Sequence, residues 1–77
     1  MTSNQNFKVK YDPTIFYCRI EECVKNSGKT FNAVERELGY PRNSLHNYRE
    51  GRLPSWVRVI ELSRYFGVKL EWLVGID

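Results

Sequence analysis

Two cysteines, one histidine and three prolines in 77 residues remove several kinds of chemistry at the outset. Cys18 and Cys23 lie five positions apart on one helical pattern, which separates them by about 7.5 Å along the axis and turns their side chains apart. A disulfide needs Cα atoms within about 7 Å and converging Cβ vectors, so an intrachain bridge is not expected. His46 is the sole histidine and no cysteine pair stands at ligand spacing, which argues against a zinc site. Nor does His46 have a serine, cysteine or carboxylate pair arranged around it as a catalytic set, so nothing supports a nucleophile–base mechanism. No apolar run approaches the roughly 18 residues of a membrane span, and no secretory signal pattern is evident. Free thiols fit a reducing compartment, and the expectation is a cytoplasmic protein. No segment alternates apolar and polar residues with period two, so strands are not needed.

What is present points to helices. Asp12-Pro13 is a start signal, Asp as N-cap and Pro at the first helical position. All five glycines, Gly28, Gly39, Gly51, Gly67 and Gly75, fall where a helical pattern ends, the position at which a left-handed residue closes a helix. The spacing predicts five helices near 13–26, 30–38, 41–50, 55–66 and 69–74, preceded by a polar arm at 1–12. Phe16, Ile20, Cys23 and Val24 stripe the first helix. Trp56, Val59, Ile60, Ser63 and Phe66 stripe the fourth, with Leu62 beside them. Leu70, Trp72, Leu73 and Val74 make the fifth almost wholly apolar, either to cover the core or to meet a partner chain. A domain of this size buries only roughly 60% of its unfolded surface. A deep substrate cleft would be hard to build in it, and neither a cofactor nor a small-molecule substrate is expected.

The formal charge of +3 is unevenly placed. Residues 42–58 hold Arg42, Arg49, Arg52 and Arg58 against Glu50 alone, while residues 13–41 are neutral. A local basic excess is what a polyanion-binding surface requires. It coincides with the most telling stretch, TFNAVERELGYPRNSLHNYREG from Thr30 to Gly51. There, two short helical patterns are separated by Gly39-Tyr40-Pro41. Val34 and Leu38 line one face of the first; Leu45 and Tyr48 line the second. At 100° per residue Asn43, His46, Asn47 and Glu50 lie opposite Leu45 and Tyr48, with Arg42 and Arg49 at the flanks. A tight turn between two such helices lets one present its polar face outward. Asn pairs bidentately with adenine and Arg with guanine in the major groove.

The run from Ser27 to Gly75 resembles the lambda repressor/Cro-type helix-turn-helix family, also called the XRE family. The landmarks are Ser27-Gly28, Thr30, Val34, Leu38-Gly39, Arg42, Leu45, Tyr48, Gly51, Pro54, Phe66-Gly67-Val68 and Leu70 to Gly75. The resemblance implies a compact all-α, five-helix domain over 13–77 whose helices 2 and 3 form the helix-turn-helix. It implies a sequence-specific regulator of bacterial or phage type, most simply a repressor, and not an enzyme. The partner would be double-stranded DNA, a two-fold symmetric operator bound by a homodimer with half-sites about 34 Å apart. Carried over by position, the base-reading residues are Arg42, Asn43, His46 and Asn47. The phosphate-contacting set is Thr30, Asn32, Ser44, Arg49 and Arg52; Thr30 is also the N-cap of helix 2, and Ser44 is equally placed to face helix 2.

Three positions depart from the family. Phe31 stands where a phosphate-clamping Gln is usual, and is open between core, partner contact and sugar contact. Glu35 stands where a small residue is common. Val24 and Arg49 occupy the positions of a common Arg–Glu pair, from which a replacement pair between Glu35 and Arg49 is expected. Tyr40, Trp56, Tyr65 and Trp72 sit at core spacing and are read as packing. The competing function is a protein-interaction module on the same scaffold, an antitoxin, anti-repressor or docking domain. The chain could be a complete small regulator or the N-terminal part of a longer one.

Overall fold

Four α-helices and one 3₁₀ segment account for the regular structure in the computed structural model, which describes residues 10–76; no strand occurs among the described residues. They are α1 (Pro13–Asn26), α2 (Phe31–Leu38), the 3₁₀ segment His46–Glu50, α3 (Trp56–Phe66) and α4 (Leu70–Val74). Of the arm expected at 1–12, residues 1–9 lie outside the described residues.

Three helix starts follow from side-chain caps. The Asp12 carboxylate accepts from the Thr14 N–H at 3.0 Å, with Pro13 opening α1. Thr30 Oγ1 accepts from the Ala33 N–H and Ser55 Oγ from the Arg58 N–H, each at 3.1 Å. Each cap takes up one of the amides that a helix's first turn leaves without an intrahelical acceptor. At the other end, Gly75 closes α4 at φ 78° and lies so near α1 that a Cβ there would come within 2.5 Å of Ile15 Cγ2. Glycine is therefore needed twice over, for its backbone angle and for its lack of a side chain.

The core runs through α1. Phe16, Ile20, Val34, Leu45, Leu62 and Leu73 are fully buried, joined by Val24, Tyr48 and Val59. One side of α1 packs on the 3₁₀ segment and another on α4, which in turn packs on α3. The ring of Tyr48 meets Phe16 edge to face at 5.2 Å, a geometry that aromatic pairs favour. Arg19 ties α1 to α4, its guanidinium 4.7 Å over the Trp72 ring and donating to the Trp72 carbonyl. Leu73 and Val74 being buried, α4 covers the core. Tyr65 of α3 donates to Glu37 of α2, and Lys29 donates to both, each of its bonds 2.8 Å long. Cys18 and Cys23 are free thiols. No helix among the described residues is long and apolar enough to cross a membrane.

Two expectations are corrected here. The third helix expected at 41–50 is not an α-helix: Arg42–Leu45 form turns, and only His46–Glu50 are helical, as 3₁₀. The cause is Asn43, whose φ of 67° is left-handed and cannot continue a right-handed helix. Trp56 does not pack: at 74% it is the most exposed of the large apolar side chains among the described residues, and the α3 core contact is made by Val59 and Leu62 instead.

Candidate functional site

The region joining α2 to the 3₁₀ segment is built around one buried acid. Gly39 ends α2 in the left-handed conformation, and the Tyr40 N–H returns to the Glu35 carbonyl at 2.8 Å. The chain then turns over Pro41–Ser44, closed by the Ser44 N–H to the Pro41 carbonyl at 3.1 Å. Glu35 is 2% exposed. One of its carboxylate oxygens accepts from the Asn43 N–H and the other from the Leu45 N–H, both at 3.0 Å. Burying a carboxylate is costly unless its oxygens find donors, and these two amides need an acceptor because no helical turn precedes them. Glu35 therefore sets where the 3₁₀ segment begins and holds Asn43 in its left-handed conformation. The expected Glu35–Arg49 pair does not form among the described residues: Glu35 is buried, its carboxylate turned to the Asn43 and Leu45 amides, whereas Arg49 is exposed.

The residues singled out in the sequence fall into three groups. Arg42, Asn43, Asn47, Arg49 and Arg52 are exposed, as are Asn32 and Thr30 at the start of α2; Thr30 has its hydroxyl engaged in capping. His46 is half-buried, its ring 4.5 Å from that of Phe31, and its Nδ1 is buried without a hydrogen-bond partner among the described residues. Ser44 is 7% exposed and its Oγ is likewise buried. Facing inward, it is not offered to a phosphate.

Phe31, left open by the sequence, lies between two rings. It stacks nearly parallel on Tyr17 at 5.9 Å and carries His46 on its other contact. It is thus the edge of the core beneath the 3₁₀ segment, which explains why a polar residue is not needed there.

The basic excess also resolves into two roles. Arg58 is half-buried, its guanidinium 4.1 Å over the Tyr40 ring and its Nη1 donating to the Tyr48 hydroxyl at 3.1 Å. It braces α3 against the turn region. The Tyr40 hydroxyl in turn donates to Glu61 at 2.6 Å, and burial, followed by that acceptor, pushes its pKa above the usual phenol range. By contrast Arg36, Arg42, Arg49 and Arg52 are exposed and enter no ion pair among the described residues. Arg36 escaped the sequence reading because Glu35 and Glu37 flank it and cancel its charge in any local count. Asn32, Glu35, Arg36, Tyr40 and Arg42 line one shallow concavity between α2 and the turn.

No family model, curated protein or solved structure matches the chain. A hydrophobic scaffold presents, on consecutive short elements, four exposed guanidiniums that enter no ion pair among the described residues and three exposed amides, from Asn32, Asn43 and Asn47. Among the described residues no group of His, Cys, Asp and Glu side chains could hold a metal ion.

Proposed function

We propose that the chain is a double-stranded DNA-binding domain, similar to the lambda repressor/Cro type, acting as a transcriptional regulator by occupying its site. The observation that carries this reading is the exposure of Arg36, Arg42, Arg49 and Arg52 on α2, the turn, the 3₁₀ segment and the loop after it. Their charges are concentrated beside Asn43 and Asn47, side chains able to distinguish base edges. Arg42, Asn43 and Asn47 are the base-edge candidates. Arg49 and Arg52, with Asn32 and the first amides of α2 above Thr30, suit phosphate oxygens. His46 contributes at most an edge, since its ring is committed to Phe31. The segment entering the groove would be a left-handed Asn followed by a 3₁₀ turn, a shorter probe than an α-helix over 41–50, which would make about 2.8 turns.

Selection of bound sequences from a random duplex pool, followed by anisotropy titration of the winner, tests this. A recovered site with two-fold symmetry and half-sites about 34 Å apart is expected. Affinity should fall by about 10³–10⁵ between 50 and 200 mM salt if each subunit meets several phosphates. An Arg42→Ala/Asn47→Ala double variant that binds duplex as weakly as the parent would overturn the reading.

One observation favours a second reading, a protein-contact module. Leu53, Trp56 and Val57 are 68%, 74% and 43% exposed within five residues, and clustered exposed apolar side chains mark contact surfaces more often than chance. The two readings diverge in the random-pool selection, where a protein-contact module enriches no site.

A further inference from the structure

We infer that the concavity between α2 and the Pro41–Ser44 turn holds one phosphodiester of a nucleic-acid backbone, clamped by Arg36 and Arg42 with Asn32 as a neutral donor. The inference rests on the DNA-binding reading and adds to it a site, a ligand class and a residue, Arg36, to which that reading gave no contact.

Asn32, Glu35 and Arg36 stand at i, i+3 and i+4 on α2 and so share a face. Arg42 reaches the same concavity from the turn. Both guanidiniums are exposed and enter no ion pair among the described residues. The carboxylate at the floor forms no ion pair with either of them among the described residues: it is 2% exposed and its two oxygens accept the Asn43 and Leu45 amides. The Tyr40 hydroxyl is spent on Glu61, and Arg58 covers the Tyr40 ring, so the wall formed by Tyr40 adds shape and no free donor. The donors left facing an occupant are therefore two planar forks and an amide. Guanidinium forks match phosphate oxygens two at a time, which a lysine cannot do.

Charge narrows the occupant further. Arg36 and Arg42 against Glu35 leave a net single positive charge, matched by the single negative charge of a phosphodiester and exceeded by a free phosphate dianion. This assignment moves Arg42 from the base edge to the backbone and leaves Asn43 and Asn47 to read sequence.

The test is duplex anisotropy at several salt concentrations with Arg36→Ala, Arg36→Lys and Asn47→Ala. Arg36 is exposed, so its truncation should leave the fold intact, checked by the thermal midpoint. The expected result is a loss of about tenfold in affinity for Arg36→Ala, equal for every duplex sequence. The slope of log affinity against log salt should shrink by about one. Arg36→Lys should restore the slope and only part of the affinity, whereas Asn47→Ala should change which sequences are preferred. Unchanged affinity and slope in Arg36→Ala, with Asn47→Ala impaired, overturns the clamp alone. A parent chain that binds no duplex at 50 mM salt overturns the DNA-binding reading itself. Side-chain resonances of Arg36 and Asn32 that shift on adding duplex, and not inorganic phosphate at equal ionic strength, support a backbone source. Equal shifts with inorganic phosphate overturn that source.

Discussion

The α1–α3–α4 scaffold and the α2–turn–3₁₀ region are held by different physics. In the scaffold, fully buried Phe16, Ile20, Leu62 and Leu73 make the contacts, and side-chain caps from Asp12 and Ser55 open α1 and α3. In the turn region, Val34, Leu45 and Tyr48 are buried with Phe31, Leu38 and Tyr40 packed beside them, and the decisive element is a buried carboxylate receiving two backbone amides. A packed apolar face tolerates small shifts along its stripe. A two-bond carboxylate does not, and it fixes the backbone from which Asn43 and Arg42 project.

Phe16→Ala should give the largest effect, because that ring serves both regions through Tyr48. Phe-to-Ala truncations in cores cost roughly 3–5 kcal/mol, enough to leave a domain of this size mostly unfolded at 37 °C. Chemical denaturation followed by circular dichroism measures it. A loss under about 1.5 kcal/mol would mean that the two regions do not share one core.

Glu35→Ala separates the regions. It strands two amides, one of them buried, at about 1–3 kcal/mol each. Hydrogen exchange should accelerate at Asn43 and Leu45 well before it does at α1 or α3. Glu35→Gln keeps one acceptor oxygen and should recover part of the protection. Equal acceleration throughout the chain would show that Glu35 supports the whole fold rather than the turn.

The scaffold was legible and the turn region was not, for a physical reason. Periodicity located Phe16, Ile20, Cys23, Val24, Leu45 and Tyr48 on the buried face, and capping chemistry located four helices to within a residue, because apolar stripes and caps are written in side chains. The partners of Glu35 are backbone amides, which have no signature in a sequence. Glu35 read instead as a charge awaiting Arg49. Asn43 gave a partial signal, since Asn tolerates left-handed angles more readily than most residues, but Arg and Asn at a helix start also look like base readers. Trp56 misled because a helical wheel extends its stripe to the end of the helix, whereas the α3 contact stops at Val59.

The caps offer a finer comparison. Thr30→Ala and Ser55→Ala each remove one acceptor from a first turn and should cost about 1 kcal/mol. If α2 is the more loosely packed helix, Thr30→Ala should raise exchange in α2 without altering α3, whereas Ser55→Ala should lower the midpoint for the chain as a unit. Matched local exchange in both variants would erase the distinction between the regions. Trp56→Ala should fall below either cap variant, within about 0.5 kcal/mol of the parent, as surface substitutions do. A larger loss would place the indole in a contact that its exposure denies.

The smallest effect concerns the triangle that links the two regions, Lys29, Glu37 and Tyr65. The bond from Lys29, then that from Tyr65, holds the Glu37 carboxyl below its ordinary pKa, and the bond to Glu37 holds the Lys29 ammonium above its own. A depressed acid contributes stability above its unfolded pKa and loses it as pH falls through the folded value. An elevated base contributes below its unfolded pKa and loses it as pH rises through the folded value. The link should therefore be complete between the ordinary values of 4.5 and 10.5 and weaken outside them. Both side chains being exposed, salt screens the pair and its effect should be slight. Thermal midpoints of Glu37→Gln against the parent should differ most near neutrality and converge below pH 4, with the gap narrowing in high salt. A gap that persists undiminished at pH 3 would show that Glu37 acts through packing, and that α2 leans on α3 by shape rather than by charge.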